Sequence, residues 1–144
     1  MKPKDPSPPK TESAAPPLEG LSDYARDARK GAVAPYSRFK VGAALLTVDG
    51  EIITGCNIES ATFGLTLCAE RVAVFKAVSE GFKKFSAIAV VADSRKVTTP
   101  CGSCRQVLWE LCGNIWIHVA NLKGRKKTVR LSSLLPEPFD KRSL

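Results

Sequence analysis

Two short stretches of the 144-residue chain combine residue types that bind metal and move protons: Cys68-Ala69-Glu70, and Pro100-Cys101-Gly102-Ser103-Cys104. A Cys-x-x-Cys at a loop-to-helix junction can place two sulfurs on one zinc ion, and Cys68 offers a third from another helix. All three fall in or near a helix's first turn. Unpaired N–H groups and the helix dipole favour anions there, which lowers thiol pKa values and helps keep the ligands as thiolates. A structural zinc usually takes four protein ligands, whereas a catalytic one takes three and keeps a position for water. The visible pattern supplies three. Glu70 stands two residues from one of them, where a carboxylate can take a proton from water and return it to a substrate. Three thiolates outweigh the charge of Zn²⁺ and weaken its acidity. Arg71 and the two helix N-termini are the groups that could offset this.

The elements differ in specificity. Cys101-x-x-Cys104 alone is only moderate, as ready to be a redox or structural zinc pair as a catalytic ligand pair, and Cys68-x-Glu70 alone is weak. Together, with Pro100 ahead of the second pair, they match the signature of the zinc deaminases in its three-cysteine form, whose glutamate is not a ligand.

The match extends further. The blocks Ala34–Ala44 (APYSRFKVGAA), Gly55–Glu59 (GCNIE), Cys68–Arg71 (CAER), Lys76–Gly81 (KAVSEG), Pro100–Leu108 (PCGSCRQVL) and Leu134–Phe139 (LLPEPF) resemble the small homotetrameric cytidine deaminases of pyrimidine salvage. The resemblance runs from about Leu21 to Leu144. It implies hydrolytic deamination of cytidine and 2′-deoxycytidine, with one Zn²⁺ per subunit on Cys68, Cys101 and Cys104 and with Glu70 as proton shuttle. Arg71 would hydrogen-bond the ligand sulfurs. Asn57 and Glu59 would hold the ribose 3′-hydroxyl, Phe39 would contact the cytosine ring, and the Ala69 backbone would help orient the base. Ala61 and Phe63 would reach a neighbouring subunit's 5′-hydroxyl, and Phe139 would cover the base in an adjacent subunit. Two positions depart from the pattern: Ser60 stands where Asn is frequent, and Phe63 where Tyr is frequent. Phe63 therefore lacks a hydroxyl to donate. The residue types of the sugar-binding pair agree with this role: Asn57 and Glu59 share one face at the end of a strand, and an amide and a carboxylate suit a hydroxyl that both donates and accepts.

The elements that must position these groups follow from periodicity. Residues 18–33 fit a helix with Leu21, Tyr24, Ala25 and Ala28 on one face, ended by Pro35. Lys40–Val48 and Glu51–Asn57 read as strands joined by a two-residue hairpin at Asp49-Gly50. Residues 58–66 are a loop. A helix from about Leu67 to Glu80 follows, with Gly81 as its cap. Ser86–Ala92 is nearly all apolar, as in a strand buried on both faces. Gly102–Gly113 is a helix, and Ile115–Ala120 and Lys127–Leu131 are strands joined around Lys123-Gly124. The order α-β-β-α-β-α-β-β implies a layered α/β domain with a mixed sheet. The resemblance sharpens this to three α/β/α layers around five strands.

Residues 1–17 hold six prolines and almost no large apolar side chain, so they read as a disordered Pro/Lys-rich tail, with the domain over 18–144. No apolar run reaches the roughly 20 residues of a membrane helix, and the start lacks a secretory core. A cytoplasmic protein with reduced thiols is expected. The net charge of +8 is concentrated: residues 121–144 carry seven Lys/Arg against Glu137 and Asp140. A solvated basic hairpin is the plain reading, and affinity for anions is the alternative. Cys56 and Cys112 read as buried packing residues, His118 as a strand residue, and Trp109 and Trp116 as packing or subunit contacts. Two rival functions remain. A polynucleotide cytosine deaminase would use the basic stretch, but the compact chain and its phenylalanines favour a small nucleoside pocket. A non-catalytic zinc module would need a fourth ligand, for which Cys56 is the candidate.

Overall fold

The computed structural model describes residues 18–144, and the tail expected over 1–17 lies outside them. The elements in chain order are α1 (Glu19–Arg29), β1 (Val41–Thr47), β2 (Ile52–Cys56), a short 3₁₀ turn (Phe63–Leu65), α2 (Ala69–Ser79), β3 (Phe85–Ala92), α3 (Gly102–Cys112), β4 (Trp116–Asn121), β5 (Lys126–Arg130), α4 (Leu131–Leu134) and a closing 3₁₀ turn (Lys141–Ser143). The five strands form one mixed sheet in the order β2-β1-β3-β4-β5. Only β3 and β4 are parallel, with Ile88 opposite Ile117 and Val90 opposite Val119. This is the expected three-layer arrangement.

Both sheet faces are covered because the strands are apolar on both sides. α1 lays Leu21 and Ala25 on Ala44, Ala87, Ala89 and Val91. On the other face, Ala69, Ala73, Val74 and Ala77 of α2 and Leu108 of α3 pack on Ala43, Leu45, Ile53, Ile88, Val90, Ile117 and Val119. The alternation along β1, β3 and β4 sends neighbouring residues to opposite cores. Two glycines set how near the helices sit. A Cβ on Gly42 would fall 1.9 Å from the Ala25 carbonyl oxygen of α1. One on Gly55 would fall 2.6 Å from the Ala69 oxygen and the Ala73 nitrogen of α2. Gly55 thereby lets the first turn of α2 rest on β2.

Three details differ from the sequence reading. α1 ends at Arg29 rather than near Val33, because Val33 donates to the Asn57 carbonyl and accepts from Glu59 N, a parallel bridge to the segment after β2. The β1–β2 turn has three residues rather than two: Thr47 N bonds Glu51 O across it at 2.9 Å, and Gly50 takes φ of 91°. The β4–β5 turn repeats the device, with Asn121 N on Arg125 O and Gly124 at φ of 86°. A left-handed third residue is what a three-residue hairpin needs. The short α4 has no periodicity by which to announce itself. The basic stretch forms edge strand β5, whose Lys126, Lys127 and Thr128 are exposed. Charged side chains there discourage a second chain from pairing with the edge.

Replacing Gly55 with Ala should cost about 1–3 kcal/mol in urea unfolding, because backbone rather than a pliable side chain blocks the new methyl. Gly20→Ala in α1, where nothing lies within 4 Å of the new atom, should leave stability unchanged or raise it by up to about 1 kcal/mol.

Candidate metal centre and active site

α2 and α3 lie on the same face of the sheet and bring their N-termini together. Cys68 is the N-cap of α2 and Cys101 the N-cap of α3, and neither spends its side chain on capping. Cys104 lies one turn into α3 and is fully buried. The three sulfurs lie within 4.8 Å of one another, with Cys68 and Cys101 3.9 Å apart. Zinc–sulfur bonds of about 2.3 Å in a tetrahedron put sulfurs roughly 3.8 Å apart, so the trio suits that ion by spacing and by donor type. Among the described residues no fourth Cys, His, Asp or Glu joins the group. Cys56, the alternative fourth ligand, ends β2 outside it.

Charge is shared unequally in this cluster. The Cys68 thiol is pulled down to about 5, first by its hydrogen bond with Cys104 and then by the Arg71 guanidinium and Cys101, against the opposing effect of burial. The same bond, with burial behind it, drives the Cys104 thiol upward. Arg71 points Nη2 at the Cys68 sulfur (3.5 Å) and at the Thr66 carbonyl (3.4 Å). Its own Nε is buried with no hydrogen-bond partner among the described residues. Glu70, in the first turn of α2, is only 5% exposed, and its Oε2 lies 3.9 Å from the Cys104 sulfur. Burial, then repulsion from Cys68, lifts its carboxyl to about 7, against the lowering effects of a backbone hydrogen bond and Arg71. A carboxyl so placed both accepts and gives up a proton near neutral pH.

The segment after β2 lies beside this cluster. Ile58 and Leu67 exchange backbone hydrogen bonds at 3.0 Å, which joins residues 57–59 to the approach to Cys68. Asn57 is buried; its Oδ1 accepts from Val41 N and its Nδ2 donates to Phe39 O, both at 2.8 Å. Glu59 accepts from the backbone N–H of Tyr36 and Ser37, and with Ser37's help its carboxyl sits below its ordinary value despite desolvation. Both side chains thus also hold the bend at residues 36–41, where Arg38 takes φ of 58°. Phe39 is part of that bend and partly exposed, and Ala69 opens α2. Phe63 is 74% exposed, its ring edge-on to Tyr36, and Phe139 is 59% exposed. With exposed Ala61 they stand on the surface of the chain.

Sequence reasoning passed over Arg105. It donates to the Pro100 carbonyl (2.6 Å), the Thr99 hydroxyl (2.9 Å) and the Leu134 carbonyl (2.9 Å). It thus fixes the loop that delivers Cys101. Its position next to Cys104 was the available signal. His118 is a strand residue as read, bonded through Nδ1 to the Thr128 hydroxyl. The ring of Trp116 stacks under Arg130.

The unequal charge predicts reactivity. A thiol held near 5 is thiolate throughout pH 6–8, so in metal-free protein iodoacetamide should modify Cys68 at a rate nearly flat over that range. An ordinary thiol speeds up almost tenfold per unit there. Cys112, which burial pushes up to about 12, should stay unmodified. Added zinc should protect Cys68, as read by peptide mass spectrometry.

Comparison with known proteins agrees with the geometry. A model of the cytidine and deoxycytidylate deaminase zinc-binding region matches residues 17–119. A cytidine deaminase of Halalkalibacterium halodurans is 54% identical over 120 residues, 83% of this chain and 91% of the relative. One from Sporosarcina psychrophila is 48% identical over 128 residues, 88% of this chain and 94% of the relative. The crystal structure of cytidine deaminase from Burkholderia pseudomallei has the same fold at a TM-score of 0.82 and 45% identity, over 83% of this chain and 97% of that one. Fold, thiol cluster and likeness together assign the chain to the cytidine and deoxycytidylate deaminase zinc-binding family.

Proposed function

We propose that this chain hydrolyses cytidine and 2′-deoxycytidine to uridine and 2′-deoxyuridine, releasing ammonia, as a zinc-dependent enzyme of pyrimidine salvage. The observation that carries the reading is a trio of converging thiols with a buried carboxyl against one of them. Cys68, Cys101 and Cys104 would hold Zn²⁺, which supplies the Lewis acidity that brings a water's pKa towards neutrality.

The chain's own groups do the rest. Glu70 takes a proton from the attacking water and passes it to N3 of the pyrimidine as oxygen adds at C4. It then relays the second proton to the departing amine, so that C–N cleavage yields ammonia and the C4 carbonyl. Burial keeps bulk water from Glu70 and keeps its affinity for the proton near the middle of the working range. Arg71 draws charge from the sulfur of Cys68. Asn57 and Glu59 keep acceptor and donor capacity beyond the bonds they make to the bend, and these would meet the ribose 3′-hydroxyl. Phe39 would lie against the base and the Ala69 backbone would orient it.

The exposed rings suit an assembly. Phe63 and Phe139 present large apolar surface that a single chain leaves wet. In a homotetramer Ala61 and Phe63 would reach a neighbour's 5′-hydroxyl, and Phe139 would close over the base in an adjacent subunit. With Phe in place of Tyr, position 63 would contribute packing without a hydrogen bond. A cytoplasmic setting would keep the thiols reduced. Among the described residues no helix is long and apolar enough to cross a membrane.

Glu70→Gln keeps the shape of the side chain and removes its proton chemistry. It should retain one zinc per chain and lose about 10²–10⁴ or more in kcat on cytidine. Wild-type turnover in a zinc-loaded Glu70→Gln sample would refute the role assigned to Glu70.

A further inference from the structure

Away from the thiols, α3 carries a stripe of side chains that the chemistry above does not use. Arg105, Gln106 and Trp109 lie at helical neighbour spacing on one side. Each holds the segment that follows β5. Arg105 Nη1 donates to the Leu134 carbonyl at 2.9 Å, Gln106 Nε2 to the Phe139 carbonyl at 2.7 Å, and Trp109 Nε1 to Asp140 Oδ2 at 3.0 Å. Asp140 is itself fixed: Arg142 donates its backbone N–H to Oδ1 at 2.9 Å and its guanidinium to both carboxylate oxygens. Between these points the chain runs Pro136-Glu137-Pro138, and Glu137 takes φ of 50°. A non-glycine residue before proline avoids that region unless its surroundings hold it there. The bend and the bonds together fix the backbone of Phe139 from both sides, and they leave its ring 59% exposed.

We infer that Gln106, Trp109 and Asp140 are positioning residues for Phe139, which they hold against the helix of Cys104 so that its ring meets the pyrimidine base already ordered. This rests on the proposed contact of Phe139 with the base. Ordering the ring before substrate arrives removes an entropy cost from binding. Its loss weakens ground state and transition state alike, which raises KM and spares kcat. Arg142 foremost, then Trp109, keep the Asp140 carboxyl well below the usual carboxylate range, so the anchor stays charged through neutral pH.

The test is steady-state kinetics on cytidine, with zinc content and hydrogen exchange of residues 135–144 measured on the same samples. Trp109→Phe keeps a ring and removes the donor; Asp140→Asn, milder for folding, removes the charge. Each should raise KM about three- to tenfold, the effect of one lost hydrogen bond, with kcat and zinc content close to wild type and faster exchange near Phe139. Phe139→Ala should raise KM at least as much. Adding Trp109→Phe to it should then have no further effect, because the anchor acts only through that ring. A wild-type KM in both single variants, or additive effects in the double variant, overturns the proposal while cytidine turnover stands. Absence of cytidine turnover in the wild-type protein overturns the activity reading, and this proposal with it.

Discussion

Two helices that begin at the same point in space impose the main constraint on this molecule. Each N-terminus leaves backbone N–H groups without helical partners and carries partial positive charge. Cys68 and Cys101 occupy the two caps with their sulfurs turned to each other, and Cys104 closes the group from one turn further on. Three sulfurs this close repel as anions. The hydrogen bond between Cys104 and Cys68, with Arg71 beside it, favours the charge on Cys68 and the proton on Cys104. A divalent cation resolves the conflict for all three at once. Much of the architecture serves this convergence: Gly55 lets α2 settle on β2, the α2/α3 core fixes both axes, and Arg105 ties down the loop that carries Cys101.

Glu70 shows the same preference for chemistry over local stability. Burying a carboxyl that has no cationic partner of its own is unfavourable, and the group answers by holding its proton to a higher pH. A packed apolar side chain would serve the fold better at that place. What the carboxyl provides there is a proton site in a nearly dry setting, beside the sulfurs. Two polar groups after β2 reverse the pattern. Asn57 and Glu59 are well satisfied by the bend at residues 36–41, so whatever they offer a ligand, they also organise the backbone there.

The cluster of thiols with its carboxyl neighbour was legible in the sequence because each part of it is local. Cys68-x-Glu70 and Pro100-Cys101-x-x-Cys104 each lie in a single helical turn, and their spacing carries the meaning. β3 was legible because seven apolar or small residues in a row fit a strand buried on two sides. Other features depend on contacts between distant residues. α1 stops at Arg29 because Val33 finds backbone partners on either side of Ile58, more than twenty positions away. Both hairpins have three-residue turns because Thr47 and Asn121 add side-chain acceptors to the glycine signal. Arg105 acts on a carbonyl five residues back and another twenty-nine ahead. Ala61, Phe63 and Phe139 are exposed on one chain, so the roles that resemblance gives them require a neighbouring copy.

The central claim is a metal held by three sulfurs with one position left for water. X-ray absorption at the zinc edge of the purified protein measures this directly. The account predicts three sulfur neighbours and one oxygen or nitrogen. Four sulfur neighbours would contradict it, because a thiol of the chain would then occupy the position that hydrolysis requires.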